Sequence, residues 1–477
     1  MAKQILMSEA AAPADSQARL FGWARRRLAR VWRDIASTTP GEPELSVAEQ
    51  MRACLNGHGG EVSVRNRAAR LASVYLQLDA AGQKSFLETL AGFDPDPESI
   101  ASAYREFAEA TDAGLRAGAT IDLRRALEPP PIKLLRQFTT IPDGVKFLVD
   151  LRAALLNLTA DSPVLAALEA DLRGLLASWF DVGFLELRRI DWSSPASLLE
   201  RLVGYEAVHE IRSWRDLKNR LDSDRRCYAF FHPRMPHEPL IFVEVALVQG
   251  FASSVQGLLD EKAPLLDPHA ADTAIFYSIS NCQRGLSGIS FGNFLIKRVV
   301  EELSSEFRNL HAFATLSPVP GFRRWLTETL AANPPGIIST EEDAGLRTAA
   351  PADEPASETG AAALAAIIGH RGWFRDPAGV RAAEPVLTRL LARYLLVESK
   401  GRRALDPVAH FHMTNGARLE RINMLADVSE RGVKDGATMM VNYLYDPDRI
   451  EEWHEDYVGS GKRNASTMVR RLLRGWR

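Results

Sequence analysis

Cysteine is scarce. The chain of 477 residues carries three, Cys54, Cys227 and Cys282, far apart and with no Cys-x-x-Cys spacing. That excludes a disulfide framework and a thiol zinc motif, and it fits a reducing compartment. An excess of one charge is also lacking. The 58 Lys and Arg against 61 Asp and Glu leave a formal net charge of -3. Nothing in that balance favours nucleic acid or an anionic membrane surface. Long apolar runs are missing, and none reaches the roughly 18 residues that a membrane span needs. There is no visible repeat, no Gly-Lys-Ser/Thr phosphate loop and no Gly-x-Gly-x-x-Gly fingerprint. What is present is ordinary globular composition, 46% hydrophobic and 25% charged. A chain of this length holds two or three domains and a large core.

The N-terminus is basic and amphipathic. Arg25, Arg26, Arg27, Arg30 and Arg33 interleave with Leu20, Phe21, Trp23, Leu28, Val31 and Trp32. Organelle presequences share this pattern with surface helices docked by an aromatic face. The docked helix is the expectation, with the cytoplasm as location and a presequence as the alternative.

Residues 1–190 read as helix after helix. Ser162 is a good N-cap and Pro163 suits a first turn. Leu165, Leu168, Leu172, Leu175, Leu176 and Trp179 then recur at three- and four-residue steps, which gives one apolar face. A similar pattern fills 147–158, and Pro129, Pro130 and Pro131 mark a break. This predicts an all-α bundle that serves scaffolding and assembly. From residue 191 the character changes. Strand patterns occupy 228–231, 240–248, 274–279, 310–316 and 437–445, with amphipathic helices between some of them. The expected class is α+β, a helical N-terminal domain (1–190) followed by a mixed α/β domain (191–477). Residues 347–360, rich in Pro, Ala and acids, are expected to form a mobile loop in the second domain.

Three stretches carry candidate chemistry. The first is a glycine-rich loop over 283–293, between the 274–279 strand and an amphipathic helix over 294–303. Strand, glycine loop and helix start present backbone N–H groups to a phosphate or pyrophosphate. Cys282 sits beside it; no base is near in sequence, and a buried free thiol is the simpler reading. The second is "TLSPVPGF", Thr315 to Phe322. Pro318 holds Ser317 extended and cannot donate to a ladder, so regular pairing is expected to stop there. A ligand-facing hydroxyl and a strand-end serine bonded to its own backbone both fit. The third is "DPVAHFHMTNG", residues 406–416. It is read as extended, with His410 and His412 on one side and an Asn-Gly turn after them. Either ring suits proton transfer, and the pair suits a metal only if further ligands arrive from elsewhere.

Together these stretches resemble malonyl-CoA decarboxylase: "PHEPLIFVEVALVQG" at 236–250, "AIFYSISNCQRGLSGISFGNFLIKRVVEEL" at 274–303, "LSPVPGFRRWL" at 316–326, "DPVAHFHMTNGARLERINMLADVSERG" at 406–432 and "NYLY" at 442–445. The resemblance keeps this order over most of 195–450, while the helical half matches by pattern only. It implies a C-terminal domain of the acetyltransferase (GNAT) fold and conversion of malonyl-CoA to acetyl-CoA and carbon dioxide, with no metal and no added cofactor. It also implies a homo-oligomer, dimer or tetramer, assembled through the helical half. It places catalytic roles on Ser317, His412 and Tyr445. Its acyl-CoA-binding loop falls on Ser287, Gly288, Ile289, Ser290, Phe291, Gly292 and Asn293. Some family members carry a glutamate where this chain has Ser290, so a carboxylate–His–Ser triad is not expected. The alternatives are an acyl-CoA-dependent acyltransferase and a non-catalytic acyl-CoA sensor.

Overall fold

Capping residues start the N-terminal helices where the sequence places them. In the computed structural model, which describes residues 28–36, 45–57, 60–289, 295–351 and 358–474, Ser162 accepts from the Leu165 N–H and Pro163 opens the helix Pro163–Trp179. Leu165, Leu168, Leu172, Leu175 and Leu176 are buried along one face of it. The helix expected over 147–158 runs Gly144–Leu155. Trp32 docks as its amphipathic pattern requires. Its indole N–H donates to the Pro142 carbonyl at 3.0 Å, and its ring meets Phe147 edge-on at 5.2 Å. Arg25, Arg26 and Arg27 lie outside the described residues.

The second half is built on a mixed sheet. Its strands are β1 (Glu186–Ile190), β2 (Arg225–Phe231), β3 (Ile241–Val248), β4 (Thr273–Asn281), β5 (Ala312–Thr315), β6 (Ser317–Pro318), β9 (Arg418–Asn423) and β10 (Met440–Tyr445). A separate small hairpin joins β7 (Ser399–Lys400) to β8 (Arg403–Ala404). The order is β1-β2-β3-β4-β5-β10-β6, with β9 also paired to β10. Among the described strands, only β4 and β5 pair in parallel. The connection between them carries the glycine loop and the helix Leu295–Glu306, which fits the crossover that a parallel pair requires. A helical region followed by a mixed α/β sheet is the α+β layout expected.

One expectation needs correction here. β1 pairs with β2, so the sheet begins on the N-terminal side of the 190/191 boundary. Strand pairing includes Ser317 and ends at Pro318, where the proline is expected to stop it. Ser317 faces Val441 and Pro318 faces Met440, in the same register that sets Ala314 against Leu444 and Phe313 against Tyr445. In the expected loop over 347–360, the helix Thr340–Ala349 covers the start and the helix Gly360–Gly369 begins at the end. Residues 352–357 lie outside the described residues.

One continuous core joins the two halves. It runs from Leu148, Leu151 and Leu172 of the helices to Tyr228, Val243, Phe276 and Tyr443 of the sheet. Gly285 makes a close approach between them. A Cβ there would lie 1.7 Å from the Val149 carbonyl oxygen, so only glycine fits.

Candidate active site

Asp406 builds the segment that carries the histidines. Its carboxylate accepts the N–H groups of Val408 and Ala409 at 2.9 Å each, and Pro407 fills the first turn of the helix Pro407–Thr414. The segment is therefore helical and not extended. Two residues along a helix turn about 200°, so His410 and His412 face different neighbours. His410 Nδ1 lies 2.8 Å from the Tyr457 hydroxyl. His412 points into the protein, towards the sheet. The two rings do not form a metal-binding pair. After the helix, Gly416 turns the chain with φ +77°, and the Ala417 N–H returns to the His412 carbonyl at 3.0 Å.

Three of the predicted residues meet at β10. His412 Nε2 is 2.9 Å from Ser317 Oγ, and His412 Nδ1 is 2.8 Å from the Tyr445 hydroxyl. The imidazole stacks on Tyr443 with centroids 4.5 Å apart. Ser317, His412 and Tyr445 are 5%, 3% and 1% exposed, so the trio is shielded from bulk water. Burial lowers the His412 pKa to about 3 and keeps the ring neutral near pH 7. Burial also pushes the Tyr445 phenol well above its usual range, so it keeps its proton.

The His412 tautomer is tied to the direction of the Ser317 hydrogen bond. Ser317 donates its single proton to Thr315 Oγ1 at 2.8 Å. Its oxygen then has only acceptor capacity for His412. With Ser317 as the donor to Thr315, the arrangement is completed by a proton on His412 Nε2 and an Nδ1 that accepts from the Tyr445 O–H. The chain of donors runs Tyr445, His412, Ser317, Thr315. Thr315 escaped the sequence reading, although it shares a strand face with Ser317 at a two-residue step.

The described part of the glycine loop packs against the helical half. Ser287, Gly288 and Ile289 are described; Ser290, Phe291, Gly292 and Asn293 lie outside the described residues. Leu286, Ser287 and Ile289 use their backbone N–H groups on the carbonyls of Gln283, Arg284 and Leu286. The loop's carbonyls face the helical half. Arg152 donates to Gly285 and Ser287 at 2.6 and 2.9 Å, and Arg173 donates to Gly288 at 2.8 Å. Arg152, 2% exposed, is held by Glu169 at 2.6 Å. No local pattern announces that the bundle clamps this loop, because the contacts span more than a hundred residues. Cys282 is buried and its thiol is pushed well up by that burial, which suits packing and not nucleophilic attack.

Comparison with known proteins decides the family. Residues 183–477 match the model for the malonyl-CoA decarboxylase C-terminal domain, and residues 93–180 match the model for its N-terminal domain. The chain belongs to the malonyl-CoA decarboxylase family. Mitochondrial malonyl-CoA decarboxylase of Mus musculus is 35% identical over 426 residues, 85% of each chain. The mitochondrial enzyme of Anser anser anser is 35% identical over 418 residues, 84% of this chain and 82% of that one. The solved malonyl-CoA decarboxylase of Rhodopseudomonas palustris superposes with a TM-score of 0.78 at 41% identity, over 89% of this chain and 98% of that one. That of Agrobacterium vitis gives 0.79 at 38%, over 89% and 99%. As a member of the malonyl-CoA decarboxylase family, the chain is an enzyme that decarboxylates malonyl-CoA. No helix among the described residues is long and apolar enough to cross a membrane.

Proposed function

We propose that the decarboxylation proceeds through a thioester enolate whose carbon is protonated by the Ser317–His412 pair. The contact between Ser317 Oγ and His412 Nε2 carries this reading. Loss of carbon dioxide from a malonyl thioester leaves two electrons on the α-carbon and thioester oxygen. A site with little water favours movement of charge away from the carboxylate. Donors aimed at the thioester oxygen add on the order of 3 kcal/mol each.

The enolate must then gain one proton. Ser317 turns its O–H from Thr315 to the carbon and gives up the proton. The Nε2–H of His412 replaces it, and the Tyr445 proton moves to Nδ1. The imidazole stays neutral throughout, which agrees with its low pKa. An enolate is a far stronger base than a phenolate, so the transfer runs downhill. Solvent then restores the tyrosine proton, because overall one proton is consumed per carbon dioxide released. This relay calls for no added cofactor.

The same proposal keeps the loop at 287–293 as the acyl-CoA-binding segment and acetyl-CoA as product. It also keeps a homo-oligomer, dimer or tetramer, and a cytoplasmic location. Purified protein given malonyl-CoA is expected to form acetyl-CoA, read by mass spectrometry. Ser317→Ala and His412→Asn are each expected to lower turnover by roughly 100-fold or more. Near-normal turnover in both folded variants would remove the pair from the mechanism.

A further inference from the structure

The ladder between β5–β6 and β10 is interrupted at one place. Residues before and after it keep a single register. Opposite Thr315, the Tyr443 N–H donates to the threonine hydroxyl at 3.2 Å. The Thr315 carbonyl accepts instead from the Asn442 side-chain amide at 2.7 Å. Leu316 turns its N–H to Phe276 on the neighbouring strand at 3.0 Å. Asn442 is itself pinned, donating also to the Ala252 carbonyl at 3.1 Å and accepting from Asn423 at 2.8 Å. Thr315, Asn442 and Tyr443 are all fully buried.

This arrangement holds Thr315 Oγ1 beside Ser317 as an acceptor. A threonine that only filled the strand would leave the backbone ladder intact. Here a backbone donor is aimed at the hydroxyl oxygen, and the displaced carbonyl is capped by a separate side chain. We infer that Thr315 is a positioning residue that fixes the direction of the chain Tyr445–His412–Ser317–Thr315. It draws the Ser317 proton away from His412 in the resting enzyme, and so sets the Nε2–H tautomer two hydrogen bonds away. Without that acceptor, the Ser317 hydroxyl donates to Nε2. The imidazole proton then moves to Nδ1 and points at Tyr445, and the relay loses its supply of a proton to the serine. The kinetic part of this inference rests on the proposed Ser317–His412 mechanism; the tautomer part does not.

The test is histidine-selective ¹⁵N NMR on the full chain, with the His412 signals assigned by their loss in His412→Asn. Wild type is expected to show a protonated Nε2 and an unprotonated Nδ1 at His412. Thr315→Val is expected to exchange the two and to lower kcat by about tenfold, the equivalent of one net hydrogen bond, while KM changes by less than about twofold. Thr315→Ser restores the hydroxyl and is expected to restore both the tautomer and kcat. A protonated Nδ1 in wild type overturns the inference with no variant needed. So does an unchanged tautomer in folded Thr315→Val. A tautomer exchange with unchanged kcat supports Thr315 as the group that orients His412, and overturns the Ser317–His412 relay instead.

Discussion

Ser317 Oγ and His412 Nε2 stand 2.9 Å apart, although 95 residues separate them along the chain. Each is delivered by a different kind of element. Ser317 sits in a two-residue strand against β10, and His412 sits in the last turn of a short helix capped by Asp406. β10 joins the two, because it pairs with Ser317 through Val441 and places Tyr443 and Tyr445 around the imidazole.

Tyr445→Phe removes the donor to His412 Nδ1 and leaves the ring in place. We expect kcat to fall about tenfold with KM nearly unchanged, the size of one net hydrogen bond. Stopped assays of acetyl-CoA formation measure both constants. An unaltered kcat would mean that Tyr445 only packs against Phe276.

Stability should depend on pH through His412. Its folded pKa is about 3, against 6.5 for the free side chain. Below 6.5 the unfolded chain takes up a proton that the folded one refuses. The stability linked to this group is therefore fully present above about pH 6.5 and is lost as pH falls towards 3. Asp406, raised to about 6 by burial, acts in the opposite sense, but wild type and His412→Asn share it. The urea midpoint of wild type should drop more steeply between pH 6.5 and 4 than that of His412→Asn. Parallel curves would contradict the neutral buried imidazole.

Arg152→Met keeps the apolar stem and removes the donors to Gly285 and Ser287. It also leaves Glu169 without its partner. We expect a loss of about 3 kcal/mol in stability, the low end for breaking a buried pair. The Michaelis constant for malonyl-CoA should rise about tenfold, with a smaller change in kcat, because the clamped loop is the proposed coenzyme A site. A normal Michaelis constant in the folded variant would separate this loop from substrate binding.

Gly416→Ala should disturb the helix that carries His412. The backbone there has φ +77°, and a Cβ would lie 2.2 Å from the Ile450 carbonyl oxygen. The strain is about 1–3 kcal/mol. Both the melting temperature and turnover should fall. Gly250→Ala is the control, with φ +68° but no atom within 4 Å of the new Cβ. Its turnover should stay near wild type.

Much of the fold was readable because local signals agreed. Ser162 and Pro163 announce a helix, and the leucine spacing after them names its buried face. The run at 240–248 reads as a buried strand, and its residues from Ile241 onward form β3. The misreadings share a cause. "DPVAHFHMT" looks extended by its short apolar spacing, yet Asp406 and Pro407 form a helix start, and the cap prevailed. β1, "ELRRI", has too few apolar residues to announce itself and becomes a strand through its pairing with β2. At the site, Ser317, His412 and Tyr445 were found through a resemblance carried by several short segments together. Thr315 and Arg152 were not, although Thr315 opens "TLSPVPGF", because each makes a hydrogen bond that local pattern does not announce.

Sequence alone determined the order of elements, the scarcity of cysteine, and the residue types available for proton transfer. These are properties of local pattern and composition. Tertiary structure decided which nitrogen of His412 faces Ser317, which hydroxyl orients that serine, and which arginine holds the glycine loop. Each depends on a donor and an acceptor brought within about 3 Å, well inside the reach at which a hydrogen bond has direction. In "TLSPVPGF" the prolines set only where the strand ends. The surroundings of its serine are set by Thr315 beside it and His412 across from it.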